Sequence, residues 1–582
     1  MSKRLVAVWV SNYMGIENQG FNLGGKHTFD FRLSDNTLTI EVKETINYVD
    51  LFQNSSAITN VTGIVGVNGT GKSSFLKLLN MIFAQKPLFA PVVLIFEEGT
   101  EYIYYDYIGI KMLSFIRIAN PRVRLNMSSL ITERKDDEIQ RMFNDLALIF
   151  YNPILSSSES IYFKREHFID YSATAEFLST EVKSSGGKLL DDFKILLHSR
   201  QIDLFAWLNK NLDIFKQQDR ESMKLLKEIN PESIVIIFSD EKLKVEWEKK
   251  QPSKELYKQL IEHLENMPKS IESSPLPLNN LLNLYVKLYI YLFLSECNTI
   301  LDFFKNIEIK EIGLDESYIN LKFDELKLDK IFLDKVEEFK VSENEEVSFR
   351  NGRFLMKITE STNSFIRKLR ATSTHIDNGI VYGWPRNFST GQEALMSQFA
   401  ELFSVIRNDN NEKKDQLEAE NIIISIDEGE AYFHPEWQRK YISSLCSFLE
   451  VVNEVQGLNK KFQIILTSHS PFIVSDIPHY NLIKLQKDEN GFTKVMNNQE
   501  TETLGGNIFR LFQDEFFVDE FISAFAYEKI KEAVEYIKSS GEKRATFKND
   551  EDVSKFISLI GESVIRNQLR SMFERYKRNK AN

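Results

Sequence analysis

The sequence predicts an α/β fold built around a parallel sheet, and three segments support this prediction. The first is residues 66–73, which read Gly-Val-Asn-Gly-Thr-Gly-Lys-Ser between an apolar run and an amphipathic run. This order is typical of a strand, a tight loop and a helix. The other two are residues 421–428 and 462–471, which begin with branched aliphatic residues and end with polar ones. Such segments form strands buried on both faces of a parallel sheet, with ligands at their carboxyl ends.

Composition narrows the functional classes. The chain has 582 residues and a formal net charge of −12, so its surface as a whole should repel nucleic acid. Its two cysteines, Cys297 and Cys446, favour a reducing compartment and argue against a disulfide or zinc framework. The longest apolar run, Leu281–Leu294, is too short for a membrane span and contains Lys287. We therefore expect a cytoplasmic protein without membrane contact.

Residues 66–73 match the phosphate-loop pattern G-x-x-x-x-G-K-[ST]. The glycines let backbone N–H groups converge on one point, toward which the following helix directs the positive end of its dipole. We expect Lys72 to bind the β- and γ-phosphates of ATP and the Ser73 hydroxyl to ligate Mg²⁺. The residues predicted to contact the nucleotide are Asn68, Gly69, Thr70, Gly71, Lys72, Ser73 and Ser74. The alternative is a glycine-rich turn that binds nothing.

Two acidic residues end the segment 421–428. Asp427 is suited to the Mg²⁺ shell, and Glu428 is suited to polarise the attacking water as a general base. Acidic residues are common after strands, so this prediction depends on the phosphate loop upstream. The segment 462–471 ends in Thr-Ser-His-Ser-Pro, and we expect His469 to donate a hydrogen bond to the γ-phosphate. The alternative for a histidine at a strand end is a purely structural role.

A further polar segment, Asn387–Glu393, precedes a run whose apolar residues have helical spacing. Ser389 is a natural N-cap, and the backbone N–H of Gly391 lies near the helix start. This predicts a second anion-binding helix terminus. The alternative is an ordinary capped helix.

Taken together, these segments resemble the motifs of ATP-binding-cassette ATPases of the AAA family. Residues 66–73 are similar to the Walker A motif, Ser389–Gln392 to the signature motif, residues 422–428 to Walker B, and His469 to the switch histidine. Their order resembles the branch that includes RecF, SMC and overcoming-lysogenisation ATPases, not the transporters. The resemblance implies an ATPase head with ATP and Mg²⁺ as ligands. It also implies that the signature of one chain, with Ser389, Gly391 and Gln392, contacts the nucleotide held by Walker A and B of a second chain.

The sequence departs from these relatives at three points. Thr390 adds bulk to the signature, and Gly429 stands where proline is common. No glutamine is evident at the position of the family's Q-loop. A strand-like run, Leu146–Pro153, lies where that loop should begin, so we expect Asn152 to take the place of the glutamine and to contribute to the metal site.

The resemblance divides the chain into four parts. Residues 1–155 form the first half of the ATPase head, and short alternating runs at its start predict an antiparallel β-subdomain. Residues 156–380 form an insertion. Residues 381–515 complete the head with the signature, Walker B and the switch histidine. Residues 516–582 form a helical C-terminal segment.

The insertion is predicted to be mainly helical, for example over residues 189–216 and 254–265. It also contains a strand-like run, Ser233–Phe238. Sustained heptads and a Cys-x-x-Cys hook are absent from its sequence. These features favour a compact insertion and argue against a long coiled-coil arm.

The C-terminal segment ends in a run of basic residues. They are Arg566, Arg570, Arg575, Lys577, Arg578 and Lys580. They indicate either a solvated helix end or a patch that contacts nucleic acid or a partner. Overcoming-lysogenisation nucleases carry a sizeable Toprim domain after the switch histidine, and the chain after His469 is too short for one. We therefore expect no metal nuclease site here.

ATPases of this kind, with a helical insertion and no nuclease domain, resemble the ATPase subunits of bacterial anti-phage systems. The Septu and retron-associated systems pair such a subunit with an HNH nuclease, and PARIS pairs one with a Toprim toxin. The resemblance implies a homodimer or higher homo-oligomer with head-to-tail sites, which holds an effector nuclease until phage triggers it. Two alternatives remain open: a RecF-like repair ATPase that binds DNA directly, and a solitary ATP-dependent nuclease.

Overall fold

The structure, a computed structural model, comprises two compact units, Met1–Leu511 and Phe512–Asn582. The residues that it describes are 2–52, 55–86, 88–99, 101–109, 111–117, 122–126, 143, 145–154, 167–175, 189–211, 221–238, 347–350, 353–360, 362–364, 366, 380–407, 418–496, 502–516, 522–539 and 544–581. Among these residues, no helix combines the length and the apolar character needed to cross a bilayer.

Strands predominate in the first part of the described chain, and most of the helices lie in its later part. The strands are β1 (Lys3–Tyr13), β2 (Ile16–Asn22), β3 (His27–Ser34), β4 (Thr37–Glu44), β5 (Ile58–Gly66), β6 (Leu88–Glu98), β7 (Glu101–Gly109), β8 (Lys111–Arg117), β9 (Arg122–Asn126), β10 (Leu146–Tyr151), β11 (Phe168–Asp170), β12 (Ser233–Phe238), β13 (Val347–Arg350), β14 (Arg353–Lys357), β15 (Ile380–Gly383), β16 (Asn421–Asp427), β17 (Lys461–Thr467), β18 (Leu482–Lys487) and β19 (Thr493–Met496). The helices are α1 (Lys72–Phe83), α2 (Leu189–Lys210), α3 (Glu221–Ile229), α4 (Thr390–Ile406), α5 (Pro435–Val455), α6 (Pro471–Ser475), α7 (Ile508–Phe516), α8 (Ala524–Lys538), α9 (Asp550–Leu559) and α10 (Ser563–Ala581), with a 3₁₀ turn at His479–Asn481.

The parallel half of a 12-stranded sheet carries the predicted site. Its strand order is β11-β10-β16-β17-β5-β18-β19-β2-β1-β6-β7-β8, and the strands from β11 to β18 run parallel. Every residue of β10 and β16 is buried, as expected for strands that are covered on both faces. Asp427 pairs with Thr467, and Thr467 pairs with Ile64. The carboxyl ends of β16, β17 and β5 therefore lie together, and the predicted α/β class is confirmed.

The other half of the sheet is mainly antiparallel. Strands β2, β1, β6, β7 and β8 follow one another in antiparallel pairs. A second sheet, in the order β3-β4-β9, places Phe29 and Leu38 in one apolar cluster with Trp9 of β1. This arrangement confirms the antiparallel β-subdomain that the alternating runs predict.

Helix α1 packs on the sheet directly after the glycine-rich loop. Its apolar residues recur at helical spacing, and Phe75, Leu76 and Leu79 are fully buried in the main core. Phe21 stacks on Phe75 with ring centroids 4.3 Å apart. The helix is thus anchored along its length, which fixes the position of its first turn.

The insertion contains a sheet as well as helices. Helix α2 confirms a helix in the range predicted at 189–216, although it ends at Lys210. The run Ser233–Phe238 forms β12 in a four-stranded sheet of order β13-β14-β12-β15, because its branched aliphatic residues favour strand pairing. The predicted helix at 254–265 lies outside the described residues. The division into four parts stays a prediction.

The second unit is helical, as predicted. Helices α8, α9 and α10 share one apolar cluster of their own. Ala533 and Ile537 contribute to it from α8, Val553 and Ile557 from α9, and Phe573 from α10.

Candidate functional site

The glycine-rich loop after β5 is tightly packed on its inner side and open on its outer side. Gly66 and Gly71 have positive φ angles of 149° and 104°, which favour glycine. A Cβ atom at Gly66 would lie 2.4 Å from the Leu485 carbonyl oxygen, and one at Gly71 would lie 2.5 Å from Thr493 Oγ1. The remaining predicted contacts follow the loop outward and into the helix: Asn68 and Gly69 are exposed, Thr70 is buried, and Ser73 and Ser74 are half-buried.

Lys72 begins α1 and folds back on this loop. Its Nζ atom donates hydrogen bonds to the carbonyl oxygens of Gly66 at 2.9 Å and Val67 at 3.3 Å. Burial lowers the pKa of Lys72, while the Glu428 and Asp427 carboxylates act in the opposite direction. Helix α1 has no side-chain cap and no acidic residue in its first turn. Its first N–H groups and the Lys72 ammonium therefore suit an anion.

Asp427 is held at the end of β16 by three side-chain donors. Ser73 Oγ lies 3.1 Å from Asp427 Oδ1, and Thr467 Oγ1 lies 2.6 Å from the same oxygen. Asn152 Nδ2 donates to Asp427 Oδ2 at 3.2 Å, and Asn152 Oδ1 accepts from the Ile154 backbone. Burial raises the pKa of Asp427, although the hydrogen bonds from Thr467 and Ser73 lower it. The three residues assigned to Mg²⁺ thus meet at one point.

Their donor set fits Mg²⁺, which prefers carboxylate and hydroxyl oxygens and keeps several waters. Asp427 and Ser73 can supply such oxygens. Asn152 contacts Asp427 through its amide nitrogen, so in this arrangement it orients the carboxylate. Its role as a metal ligand stays a prediction. Among the described residues, no group of three or more histidine, cysteine and acidic side chains is arranged to hold a metal ion.

Glu428 follows Asp427 with a left-handed backbone, at φ 51°. Its backbone N–H donates to Thr467 Oγ1 at 3.0 Å, which stabilises this turn of the chain. Its carboxylate oxygen Oε1 lies 3.4 Å from His469 Nε2, and both side chains are about one-third exposed. The interaction with His469 lowers the pKa of Glu428, although burial acts in the opposite direction. The two predicted catalytic groups are therefore neighbours at a solvent-accessible edge.

Ser389 and Gln392 form a reciprocal capping box at the start of α4. Ser389 Oγ accepts from the Gln392 backbone at 3.3 Å, and Gln392 Oε1 accepts from the Ser389 backbone at 2.9 Å. A Cβ atom at Gly391 would lie 2.6 Å from the Tyr432 carbonyl oxygen. Within the described residues, neither capping side chain bonds to the glycine-rich loop. Ser389 is exposed to solvent.

Sequence reasoning missed two residues that join the polar segments. Ser468 is fully buried, and its hydroxyl donates to Oε1 of Glu430, which is 3% exposed. Burial raises the pKa of Glu430 to about 7. The polar Thr-Ser pair before His469 is the sequence signal that points to Ser468. Its contact with Glu430 is not evident from the sequence, because the two residues lie 38 positions apart.

The departure at Gly429 has a steric reason. A Cβ atom there would lie 2.7 Å from both Gln398 Nε2 and Tyr441 OH, and 2.5 Å from Ile426 Cγ2. Gln398 Nε2 donates to Tyr441 OH at 2.5 Å. This buried pair occupies the space that a larger residue would need.

Most of the chain matches a known protein family. A family model described as an AAA ATPase domain matches residues 45–474, which is most of the chain. The match contains the glycine-rich loop, the α4 capping box, the Asp427–Glu428 pair and His469.

Proposed function

Because this chain belongs to the AAA ATPase domain family, we propose that it binds and hydrolyses ATP in sites shared by two copies of the chain. Family membership supports nucleotide binding and ATPase activity. The shared site and the process that it serves are our proposal. The observation that carries the shared site is the exposed Ser389 cap, which bonds to no residue of its own glycine-rich loop within the described part of the chain.

Each polar residue of the site has a role in this proposal. The N–H groups of the loop and the Lys72 ammonium bind the phosphates. Glu428 accepts a proton from the attacking water, and the adjacent His469 lies 3.4 Å from its carboxylate. His469 donates a hydrogen bond toward the terminal phosphate. Mg²⁺, held by Ser73 and Asp427, would neutralise charge on the phosphate oxygens.

The second copy contributes the start of α4. In this proposal Ser389 and the Gly391 N–H of one chain bind the terminal phosphate held by Lys72 of the other. Helix α4 directs its positive dipole end toward that phosphate. Two head-to-tail copies then form two sites, and ATP holds the copies together until it is hydrolysed.

The process that we propose is anti-phage defence. The chain would act as a sensor and scaffold that keeps an HNH or Toprim effector nuclease inactive until it is triggered. The motif resemblance supports this role. Co-purification with the products of neighbouring genes, followed by mass measurement, tests it. A nuclease that co-purifies supports the role, and an ATPase that purifies without any such partner contradicts it.

The shared site has its own test. We would measure hydrolysis per chain over a range of chain concentrations, for the wild type, for Ser389→Arg and for the exposed control Ser558→Arg. Shared sites predict that hydrolysis per chain rises with concentration, that Ser389→Arg abolishes it and that Ser558→Arg does not. A rate per chain that is independent of concentration and unaffected by Ser389→Arg contradicts shared sites.

Direct DNA binding is the second candidate, and the basic face of α10 favours it. Arg570, Arg575 and Arg578 are exposed and form no ion pair within the described residues. Lys580, in contrast, pairs with Asp550 at 3.1 Å. Unpaired cations on one helix suit phosphate contacts despite the net charge of −12.

DNA binding can be tested on the full chain with a fluorescent duplex, with and without ATP. The triple variant Arg570→Ala, Arg575→Ala, Arg578→Ala should weaken binding and reduce its salt dependence, and the α9 control Lys555→Ala should not. Absence of ATP-dependent binding by the wild type would remove this candidate.

A further inference from the structure

The turn after β16 and the turn after β17 are joined by three successive contacts. Thr467 Oγ1 donates to Asp427, Ser468 Oγ donates to Glu430, and His469 Nε2 lies 3.4 Å from Glu428. The first and last contacts involve residues with proposed roles at the nucleotide. The middle contact, between Ser468 and Glu430, has none.

The Ser468 hydroxyl both accepts and donates a hydrogen bond at this junction. It accepts a hydrogen bond from the Ser470 backbone at 2.9 Å, and its own proton goes to Glu430. The Ser468 backbone N–H also donates to the Ile64 carbonyl oxygen at 3.2 Å, on the strand that leads into the glycine-rich loop. Ser468 thereby fixes the residues on either side of it, and His469 is one of them.

Glu430 is placed to support this turn and not to reach the nucleotide. It is 3% exposed, and Ser468, which donates to it, is fully buried. Removing its carboxylate would leave the Ser468 hydroxyl proton without its acceptor in a buried position, which is costly. The Ser468–Ser470 turn would then lose one of the contacts that orient His469.

Movement of Glu430 is itself restricted. A Cβ atom at its neighbour Gly429 would lie 2.7 Å from both Gln398 Nε2 and Tyr441 OH, which leaves this part of the turn little room to shift. The Phe433 backbone N–H donates to the Glu430 carbonyl oxygen at 2.9 Å. The carboxyl thus approaches Ser468 from a rigid turn.

We propose that Glu430 is a positioning residue that, through the Ser468 hydroxyl, holds His469 beside Glu428 during ATP hydrolysis. The expected effect on the rate of ATP hydrolysis rests on the proposed function. Its structural part, the link between Glu430 and the Ser468–Ser470 turn, stands independently. A loss of alignment of this kind lowers the rate of the chemical step and leaves nucleotide binding nearly unchanged.

The test compares four variants of the full chain. Glu430→Ala and Ser468→Ala each remove the link. Glu430→Gln keeps an oxygen acceptor for Ser468. Glu450→Ala is the matched control, because Glu450 accepts a comparable hydrogen bond from Ser55 at 2.6 Å elsewhere in the unit. For each, we would measure kcat and KM for ATP, and amide hydrogen exchange of the peptide that contains Ser470.

Glu430→Ala and Ser468→Ala should lower kcat by about tenfold or more with little change in KM. Both should accelerate exchange of the Ser470 peptide. Glu430→Gln should restore both readouts, and Glu450→Ala should leave them unchanged. In a His469→Ala background, Glu430→Ala should cause no further loss of kcat, because the group that it positions is gone.

Two results would overturn the inference. One is wild-type kcat and wild-type exchange in Glu430→Ala or Ser468→Ala. The other is an equal loss of kcat from Glu430→Ala with and without His469, which would mean that Glu430 acts independently of it. If the wild type hydrolyses no ATP, the proposed function fails, and the exchange measurement still decides whether Glu430 holds the turn. If Glu430→Ala does not fold, Ser468→Ala and Glu430→Gln decide the question.

Discussion

His469 Nε2 lies 3.4 Å from the Glu428 carboxylate, although the two residues follow different strands. The pairing of Asp427 with Thr467 in neighbouring parallel strands produces this contact, because it brings the two following turns side by side. The proposed base, Glu428, and the residue proposed to donate a hydrogen bond to the terminal phosphate, His469, therefore occupy one edge of the sheet. Family membership and this geometry together support an ATPase whose chemistry is carried by a few residues at strand ends.

The first prediction concerns Lys72, whose buried ammonium lies against the glycine-rich loop. Lys72→Ala should weaken ATP binding by about 100-fold, since charge-assisted hydrogen bonds to phosphate are lost. Isothermal titration calorimetry measures this effect. Lys77→Ala, on the same helix but outside the loop, serves as the control and should bind as the wild type does. Tight ATP binding by a folded Lys72→Ala would refute the phosphate-loop assignment.

The second prediction concerns Glu428. Glu428→Gln should keep ATP affinity within about threefold and lower kcat by about 100-fold or more, because it removes the general base and preserves shape. Phosphate release and equilibrium binding should be measured on the same preparation. Glu436→Gln, in the exposed first turn of α5, is the control. Retained hydrolysis in Glu428→Gln would eliminate Glu428 as the base.

A third prediction follows from the packing at Gly429. Gly429→Ala should destabilise the chain by about 1–3 kcal/mol, because the added methyl group must displace the Gln398–Tyr441 pair. It should also lower kcat, since the turn carries Glu428. Gly383→Ala is the matched control, because nothing lies within 4 Å of a Cβ atom there. Equal melting temperatures for the two variants would show that the space is not occupied as described.

The fourth prediction is a pH dependence of stability from Glu430. Burial raises its pKa from 4.5 to about 7, so the folded chain retains a proton that the unfolded chain releases between these values. The contribution of Glu430 to stability is therefore fully present below the lower value, and it falls as pH rises toward about 7. The total change is about 3 kcal/mol.

Glu430→Gln removes this titration. Its melting temperature relative to the wild type should therefore increase between about pH 5 and about pH 8. Differential scanning fluorimetry in matched buffers is sufficient for this comparison. A difference that is the same at both pH values would contradict a raised pKa at Glu430.

The sequence predicts the site to the extent that local patterns encode it. The glycine-rich loop and the aliphatic runs before Asp427 and His469 identify strands, loop and helix without tertiary information. The helices of the C-terminal unit can also be predicted from the spacing of their apolar residues. In each case residues close in sequence determine both the element and the position of the polar group.

What the sequence does not reveal depends on pairing between distant strands. The Ser468–Glu430 contact requires the register of β16 against β17, which aliphatic runs do not specify. The reason for Gly429 lies in Gln398 and Tyr441, on two other helices. Asn152 reaches Asp427 because β10 pairs with β16.

The most direct test of a site shared by two chains is to mix two inactive variants, Lys72→Ala and Ser389→Arg. In a mixed pair, one site combines the intact loop of one chain with the intact α4 cap of the other. Hydrolysis should then return to about a quarter of the wild-type rate after random exchange of chains, because half of the pairs are mixed and each has one intact site. A mixture that remains as inactive as its separate components, while tagged wild-type chains exchange freely under the same conditions, would contradict the shared site.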